Sequence, residues 1–465
     1  MKTCTVSAPI PTRIARRSSL RAPSWGRMAT LAVLTAMLGA CATTHPLMPT
    51  PSLYRGPAAM PLFTEVHPAR QTSSIDLFYM TDRSPQANPE EGTPYTAGRA
   101  RSMAFGTVRV NIGEGIAWNP LVEQSTTGKR TDALDMTLGP THELGRFPTI
   151  IYDLVQTDQG ITRDRAIVDQ HEKAVGDFKA SLSRAVADSP RKEVVLFVHG
   201  YHDTFADAAF SMAELCHFLG REYLCALFSW PAGGNRGILF GYNEDRESGE
   251  FAVEHLKKTI RMIADTPGVE RIHLLAHSRG TDVLTSALAL LNVETYITRT
   301  GLTQRFKIVN IVLMAPDMDF DIAAARIFSV ASDPDLPYGD APNPRGEFPR
   351  PGVHITVYVS PTDKALTVSQ YLFGSMIRLG RLQAAEVGKA NIERARKAGV
   401  FDVISVSGTT DMFGHSYFAS NPDVSSDLIA LVRYGAKPGD TLRPLVEIDR
   451  PFWRIRTPVA ETGSE

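Results

Sequence analysis

Ser278, Asp363 and His415 are residue types that together can cleave an acyl bond, and each follows a run of strand-type apolar residues. A serine hydroxyl is a poor nucleophile until a base takes its proton, and the imidazolium that forms needs an anchored carboxylate. From Arg271 to Thr285 the chain reads R-I-H-L-L-A-H-S-R-G-T-D-V-L-T. The apolar run stops at Ser278, and Val283, Leu284, Ala287, Leu288 and Leu291 then recur at helical spacing. A turn from strand to helix through one serine requires small residues two positions before and after it. Those positions hold Ala276 and Gly280, the first departing from the usual glycine by one methyl group. The competing reading makes Ser278 an ordinary N-cap of the helix that follows.

The acid and base come later in the chain. Ser360-Pro361-Thr362-Asp363 follows the apolar run that ends at Val359, and a loop with Asp411, Gly414 and His415 follows the run that ends near Val406. No histidine other than His415 follows Asp363, so His415 is the base if the order is serine, acid, histidine. Asp317, in M-A-P-D-M-D after the preceding strand, is the rival acid. A tetrahedral intermediate also needs hydrogen-bond donors for its oxyanion, each contributing on the order of 3 kcal/mol to the transition state. The backbone N–H groups of Arg279 and Tyr201 are the candidates. His199 is expected to orient the loop of Tyr201, and His277 to pack beside the turn. His199 and His202 lack a third ligand, and neither GxGxxG nor a phosphate-loop pattern occurs, so no metal and no cofactor is expected.

These groups need a rigid frame. Strand patterns run over Ile75–Asp82 and Phe105–Ile112, expected as an antiparallel edge pair, with residues 83–101 as a loop between them. Phe147–Leu154 is a further candidate strand, and Asp169–Ala187 has the periodicity of an amphipathic helix. Strands at Val194–Val198, Ala226–Trp230, Arg271–His277, Ile308–Met314, His354–Val359 and, last, Phe401–Val406 then alternate with helices at Asp203–Leu219 and Ser248–Ala264. Such alternation implies an α/β fold with a mostly parallel central sheet and helices on both faces, its site at the carboxyl ends of the strands. Asp333–Pro351 and the helical stretch Ser369–Ala398 read as insertions near those ends.

The chain has 465 residues, 43% hydrophobic and 21% charged, enough for one large domain with appendages. The first forty residues carry six basic side chains and no acid; without them 43 basic residues face 50 acidic ones, a balance of −7 that argues against nucleic acid as partner. Residues 28–40 form an apolar stretch too short to span a bilayer, after a basic segment, which is signal-peptide anatomy. It ends in Leu38-Gly39-Ala40-Cys41, which resembles a lipobox, so residues 1–40 are expected to be removed and Cys41 lipidated; an ordinary signal peptide is the alternative. Arg16-Arg17 is a weak twin-arginine signal. Residues 41–62, rich in proline, read as an extended tether, 63–455 as the domain and 456–465 as a flexible tail. Because Ala42 and not Asp follows Cys41, the expected location is the periplasmic face of the outer membrane. In that oxidising compartment Cys216 and Cys225 could form a disulfide or remain small core residues.

F-V-H-G-Y, F-S-W-P, A-H-S-R-G and Y-V-S-P-T-D-K-A-L occur together and in order, with F-Y-M-T-D-R at Phe78–Arg83 and Y-N-E-D-R-E-S at Tyr242–Ser248. This set resembles a bacterial α/β-hydrolase family of uncharacterised function, over roughly Ser74 to Ser416. The resemblance implies an α/β-hydrolase fold and a triad of Ser278, Asp363 and His415. The expected function is a serine hydrolase acting on a small ester or thioester; an amidase or peptidase, or a binding protein without turnover, is the alternative. Nothing in the sequence bears on oligomeric state.

Overall fold

Val194, Leu196 and Val198 of one strand face one side of a sheet, and Val195 and Phe197 face the other, yet all five are buried. Alternation with burial on both faces is what a strand in the middle of a covered parallel sheet requires. The computed structural model describes residues 45–88, 93–131, 133–234, 237–328, 352–373, 377–407 and 414–456. Lipidation at Cys41, the signal peptide, Asp411 and the insertion at residues 333–351 lie outside them, as does the tail from residue 457.

Among the described residues a twelve-stranded sheet organises the chain. Its strands are β1 (His45–Pro46), β2 (Ser74–Pro85), β3 (Tyr95–Ile112), β4 (Asp135–Arg146), β7 (Glu193–Val198), β8 (Leu224–Ser229), β9 (Arg271–His277), β10 (Ile308–Met314), β11 (His354–Val359), β12 (Phe401–Ser405), β13 (Leu445–Asp449) and β14 (Phe452–Ile455). A separate hairpin pairs β5 (Leu154–Thr157) with β6 (Gly160–Arg163). The spatial order is β1-β4-β3-β2-β8-β7-β9-β10-β11-β12-β14-β13. The block from β2 to β14 is parallel, and the flanking pairs are antiparallel.

Helices cover both faces. Arg165–Ala187, Gly237–Ala264 and Gly280–Thr298 bury Phe178, Leu182, Leu256, Ile260, Leu284 and Ala287 on one side. Phe205–Phe218 and Pro422–Tyr434 bury Phe205, Met212, Val424 and Leu428 on the other. Each fully buried Leu, Ile, Val, Met or Phe among them stabilises the fold by about 1.5–3 kcal/mol. Cys216 and Cys225 are joined by a disulfide between helix Phe205–Phe218 and β8, with Cα atoms 6.0 Å apart.

Several expectations change. Residues 45–62 are not a tether: Leu47, Met48, Tyr54 and Leu62 are buried, and Arg130 donates to the carbonyls of Leu47 and Met48, both at 2.7 Å. The prolines set an extended path, but the apolar residues between them dock it on the domain. The pair β2–β3 is internal, because β4 and β1 lie outside it, and both strands extend into the expected loop, β2 to Pro85 and β3 from Tyr95. Phe147–Leu154 is no strand; the strand in this region is β4, which ends one residue earlier. β12 is not last, since β14 and β13 continue the sheet. Ser369–Ala398 is not one helix but the end of Lys364–Phe373, two short 3-10 turns and Lys389–Ala398.

Candidate active site

Ser278 sits directly after β9 with φ of 51°, in the left-handed region that is costly for a residue with a side chain. Strain of this kind, of order 1–3 kcal/mol, persists only where neighbours over-determine the turn. They do so here: Ser278 N–H donates to Met314 O at 2.9 Å, while Ser278 O accepts from Thr281 Oγ1 at 2.6 Å and from Asp317 N–H at 3.2 Å. A methyl on Gly280 would collide with the carbonyl oxygens of His199 and Val198, so glycine there lets the helix lie against β7. The N-cap of this helix is Arg279, not Ser278, so the N-cap reading of the serine does not hold.

The Ser278 hydroxyl instead meets His415. Oγ lies 2.7 Å from His415 Nε2, and His415 Nδ1 lies 2.7 Å from Asp363 Oδ2. Asp363 is fully buried, and its Oδ1 accepts the N–H of Leu366 at 2.9 Å, which fixes the carboxylate at the start of its helix. With Nδ1–H directed to the carboxylate, Nε2 is left as an acceptor for the hydroxyl proton. The three nominated side chains therefore form one hydrogen-bonded line at the carboxyl ends of β9, β11 and β12.

Asp317 lies elsewhere in the network. It accepts from Tyr242 Oη at 2.5 Å and Ser369 Oγ at 2.6 Å, with Arg378 Nε at 3.6 Å. The ring of His277 packs against His415 and Phe418, with centroids 5.0 and 4.8 Å away, and its Nε2 donates to His415 O at 3.3 Å. Burial and then the neighbouring His415 push the His277 pKa down to about 3, so it holds the His415 backbone as a neutral ring.

The loop after β7 approaches Ser278 closely. A methyl on Gly200 would lie 2.9 Å from Ser278 Cβ and 3.1 Å from His277 Nδ1, so only glycine fits. Tyr201 follows, and its ring lies 5.1 Å from that of Tyr242. A capping box closes the loop: Thr204 Oγ1 accepts Asp207 N–H at 3.2 Å and Asp207 Oδ2 accepts Thr204 N–H at 2.9 Å. The Arg279 backbone N–H directly follows Ser278, and the Arg279 side chain pairs with Asp282 at 2.5 Å. Sequence reasoning missed the residues that hold this loop. Asp245 Oδ2 accepts the N–H groups of His202 at 3.0 Å and Gly233 at 3.3 Å, and Arg83 and Trp230 contact it from β2 and from the end of β8. Their signal is present in the segments F-Y-M-T-D-R, F-S-W-P and Y-N-E-D-R-E-S, which contain Arg83, Trp230 and Asp245.

Comparison with known proteins gives the family but little more. The chain is similar to Est1E from Butyrivibrio proteoclasticus, solved with ferulic acid bound, at 13% identity over 54% of this chain and 94% of that one, with a TM-score of 0.27. Esterase B from Lactobacillus rhamnosis, inhibited by a tributyrin phosphonate, matches at 10% identity over 52% and 84%, with a TM-score of 0.23. Phospholipase PlaB from Legionella pneumophila matches at 12% identity over 37% of this chain and only 40% of its own length, with a TM-score of 0.18. No curated protein matches. The model of a family described as alpha/beta hydrolase of unknown function (DUF900) matches residues 174–433, more than half of the chain, and the chain belongs to that family.

Proposed function

We propose that this chain is a serine hydrolase that cleaves a carboxylic ester or thioester through an acyl-enzyme. The observation that carries this reading is the continuous line from Ser278 Oγ through His415 to Asp363, with 2.7 Å at each link. Ser278 Oγ attacks the acyl carbon while His415 Nε2 takes the hydroxyl proton, and the carbonyl electron pair moves onto oxygen. Asp363 holds the ring in its working tautomer and stabilises the imidazolium. The oxyanion is received by the backbone N–H groups of Arg279 and Tyr201. Collapse breaks the acyl–oxygen or acyl–sulfur bond, and the leaving group departs with the proton from His415. Water then gives its proton to His415, attacks the acyl-serine and releases the acid, restoring the Ser278 hydroxyl.

A fluorophosphonate probe and a panel of p-nitrophenyl esters of increasing chain length test this on the purified protein. The expected result is one covalent adduct, located on Ser278 by peptide mass, and turnover of at least one short-chain ester. A wild-type protein that neither labels nor turns over any ester or thioester removes the reading and leaves a binding protein on a hydrolase fold.

For the N-terminus we propose a lipid anchor at Cys41 that places the domain at the periplasmic face of an outer membrane, supported by the sequence Leu38-Gly39-Ala40-Cys41. Among the described residues no helix is long and apolar enough to cross a membrane. Intact-mass measurement on membrane-extracted protein should give a chain beginning at an acylated Cys41. An unacylated mature chain in the soluble periplasmic fraction sinks the proposal.

A further inference from the structure

We infer that Arg83 and His199 form a positioning pair that sets the direction of the Tyr201 backbone N–H toward the developing oxyanion. The inference rests on the acyl-transfer reading of Ser278.

His199 Nε2 faces the backbone N–H of Trp230 at 3.1 Å and Arg83 Nη2 at 3.3 Å, and both of these groups only donate. Nε2 is therefore the unprotonated nitrogen, and the ring proton is on Nδ1. Burial and the adjacent guanidinium of Arg83 hold the His199 pKa well below its ordinary value, which agrees with a neutral ring. The ring lies flat on Trp230, with centroids 5.1 Å apart and planes within 2°, and Trp230 Nε1 donates to His199 O at 2.8 Å.

With its proton on Nδ1, His199 donates to Gly200 O at 3.0 Å. That carbonyl belongs to the same peptide unit as the Tyr201 N–H, and the unit is trans, since the cis bonds among the described residues are Ile150–Ile151 and Arg450–Pro451. In a planar trans peptide the C=O and N–H point in opposite directions, so pinning the carbonyl also fixes the donor. The preceding peptide is fixed too, because Gly200 N–H donates to Asp203 Oδ2 at 2.8 Å. Arg83 completes the frame. It is buried, and it donates from Nε to Ser229 Oγ at 2.8 Å, from Nη1 to Ala232 O at 2.8 Å and from Nη2 to Asp203 O at 2.7 Å. One guanidinium from β2 thus ties both ends of the loop to the carboxyl end of β8 and fixes the tautomer of His199.

The test separates positioning from mere filling of space. An asparagine at residue 199 keeps an N–H near the position of Nδ1, whereas a glutamine places its amide near the position of Nε2. Kinetics on the p-nitrophenyl ester the wild type turns over best should show His199→Asn retaining kcat within about fivefold. His199→Gln, His199→Ala and Arg83→Lys should each lose about 10- to 100-fold in kcat with KM changed by less than about twofold, as for a weakened transition-state contact. Melting temperatures identify any variant that fails to fold, and if His199→Ala does so the Asn and Gln pair still decides. Equal kcat for Asn and Gln, or losses that appear in KM alone, overturn the positioning role while Ser278-dependent turnover leaves the proposed function standing. A wild type without Ser278-dependent turnover overturns both.

Discussion

Ester turnover is expected to fall by about 10⁶-fold in Ser278→Ala and in His415→Ala, because in the proposed mechanism serine and base act as one unit and loss of either removes the covalent route. The residual rate over water, of order 10³–10⁴-fold, should come from the oxyanion donors and substrate binding, which neither substitution touches. The double variant should be no slower than the single ones, since contributions within such a unit do not add. Both substitutions should leave the fold intact. Ser278→Ala removes one hydroxyl, and it leaves the backbone bonds of that residue to Met314, Thr281 and Asp317 in place. His415 is partly exposed, so its loss opens no deep cavity. Steady-state kinetics together with fluorophosphonate labelling check the result. Labelling of Ser278→Ala at the wild-type rate, or ester turnover reduced less than about tenfold, places the nucleophile elsewhere.

The parts of the fold legible in the sequence were those where local pattern and tertiary environment agree. Strands β7, β9, β10 and β11 are buried over most of their length and are mostly apolar, with single polar residues such as His273, Asn310 and Thr356 inside them, so their limits can be read almost residue for residue. Strand β4 could not. It contains Gly139, Pro140 and Gly145, and Pro140 lies at a register shift between the pairs Val110–Leu138 and Val108–Thr141, where a strand can dispense with a ladder N–H. For residues 45–62 the proline content suggests a tether, whereas Tyr54, whose hydroxyl donates to Phe218 O at 2.7 Å, anchors them from a place no local pattern records. Arg83 reads from the sequence as the first polar residue of a loop. Its burial depends on carbonyls about 120 and 150 positions away, and only the assembled sheet brings these to it.

Replacing Asp363 by asparagine is expected to lower kcat by about 10⁴-fold, and replacing Asp317 to lower it by less than tenfold. The sequence names Asp363 as the acid and keeps Asp317 as its rival, because each carboxylate follows a strand of the same sheet. Strand order ranks them: β12, which leads into the His415 loop, pairs with β11 and so lies beside Asp363, while β10 with Asp317 is one strand further away. An amide at residue 363 can donate to Nδ1, which moves the ring proton to Nε2, where it faces the Ser278 hydroxyl and blocks proton transfer. Geometry would be preserved and the base lost, so KM should hardly change. At residue 317 the carboxylate holds helices together through Tyr242 and Ser369 and lies 3.6 Å from Arg378. Asp317→Asn takes the negative charge away from Arg378 in a buried setting, and stability should drop by about 3 kcal/mol. The two variants are thus expected to separate cleanly, one inactive and stable, the other active and less stable. Chemical denaturation and kcat measured on the same preparations decide between them. The reverse ranking in kcat would move the acid to Asp317 and require the His415 loop to reach across β11 to meet it.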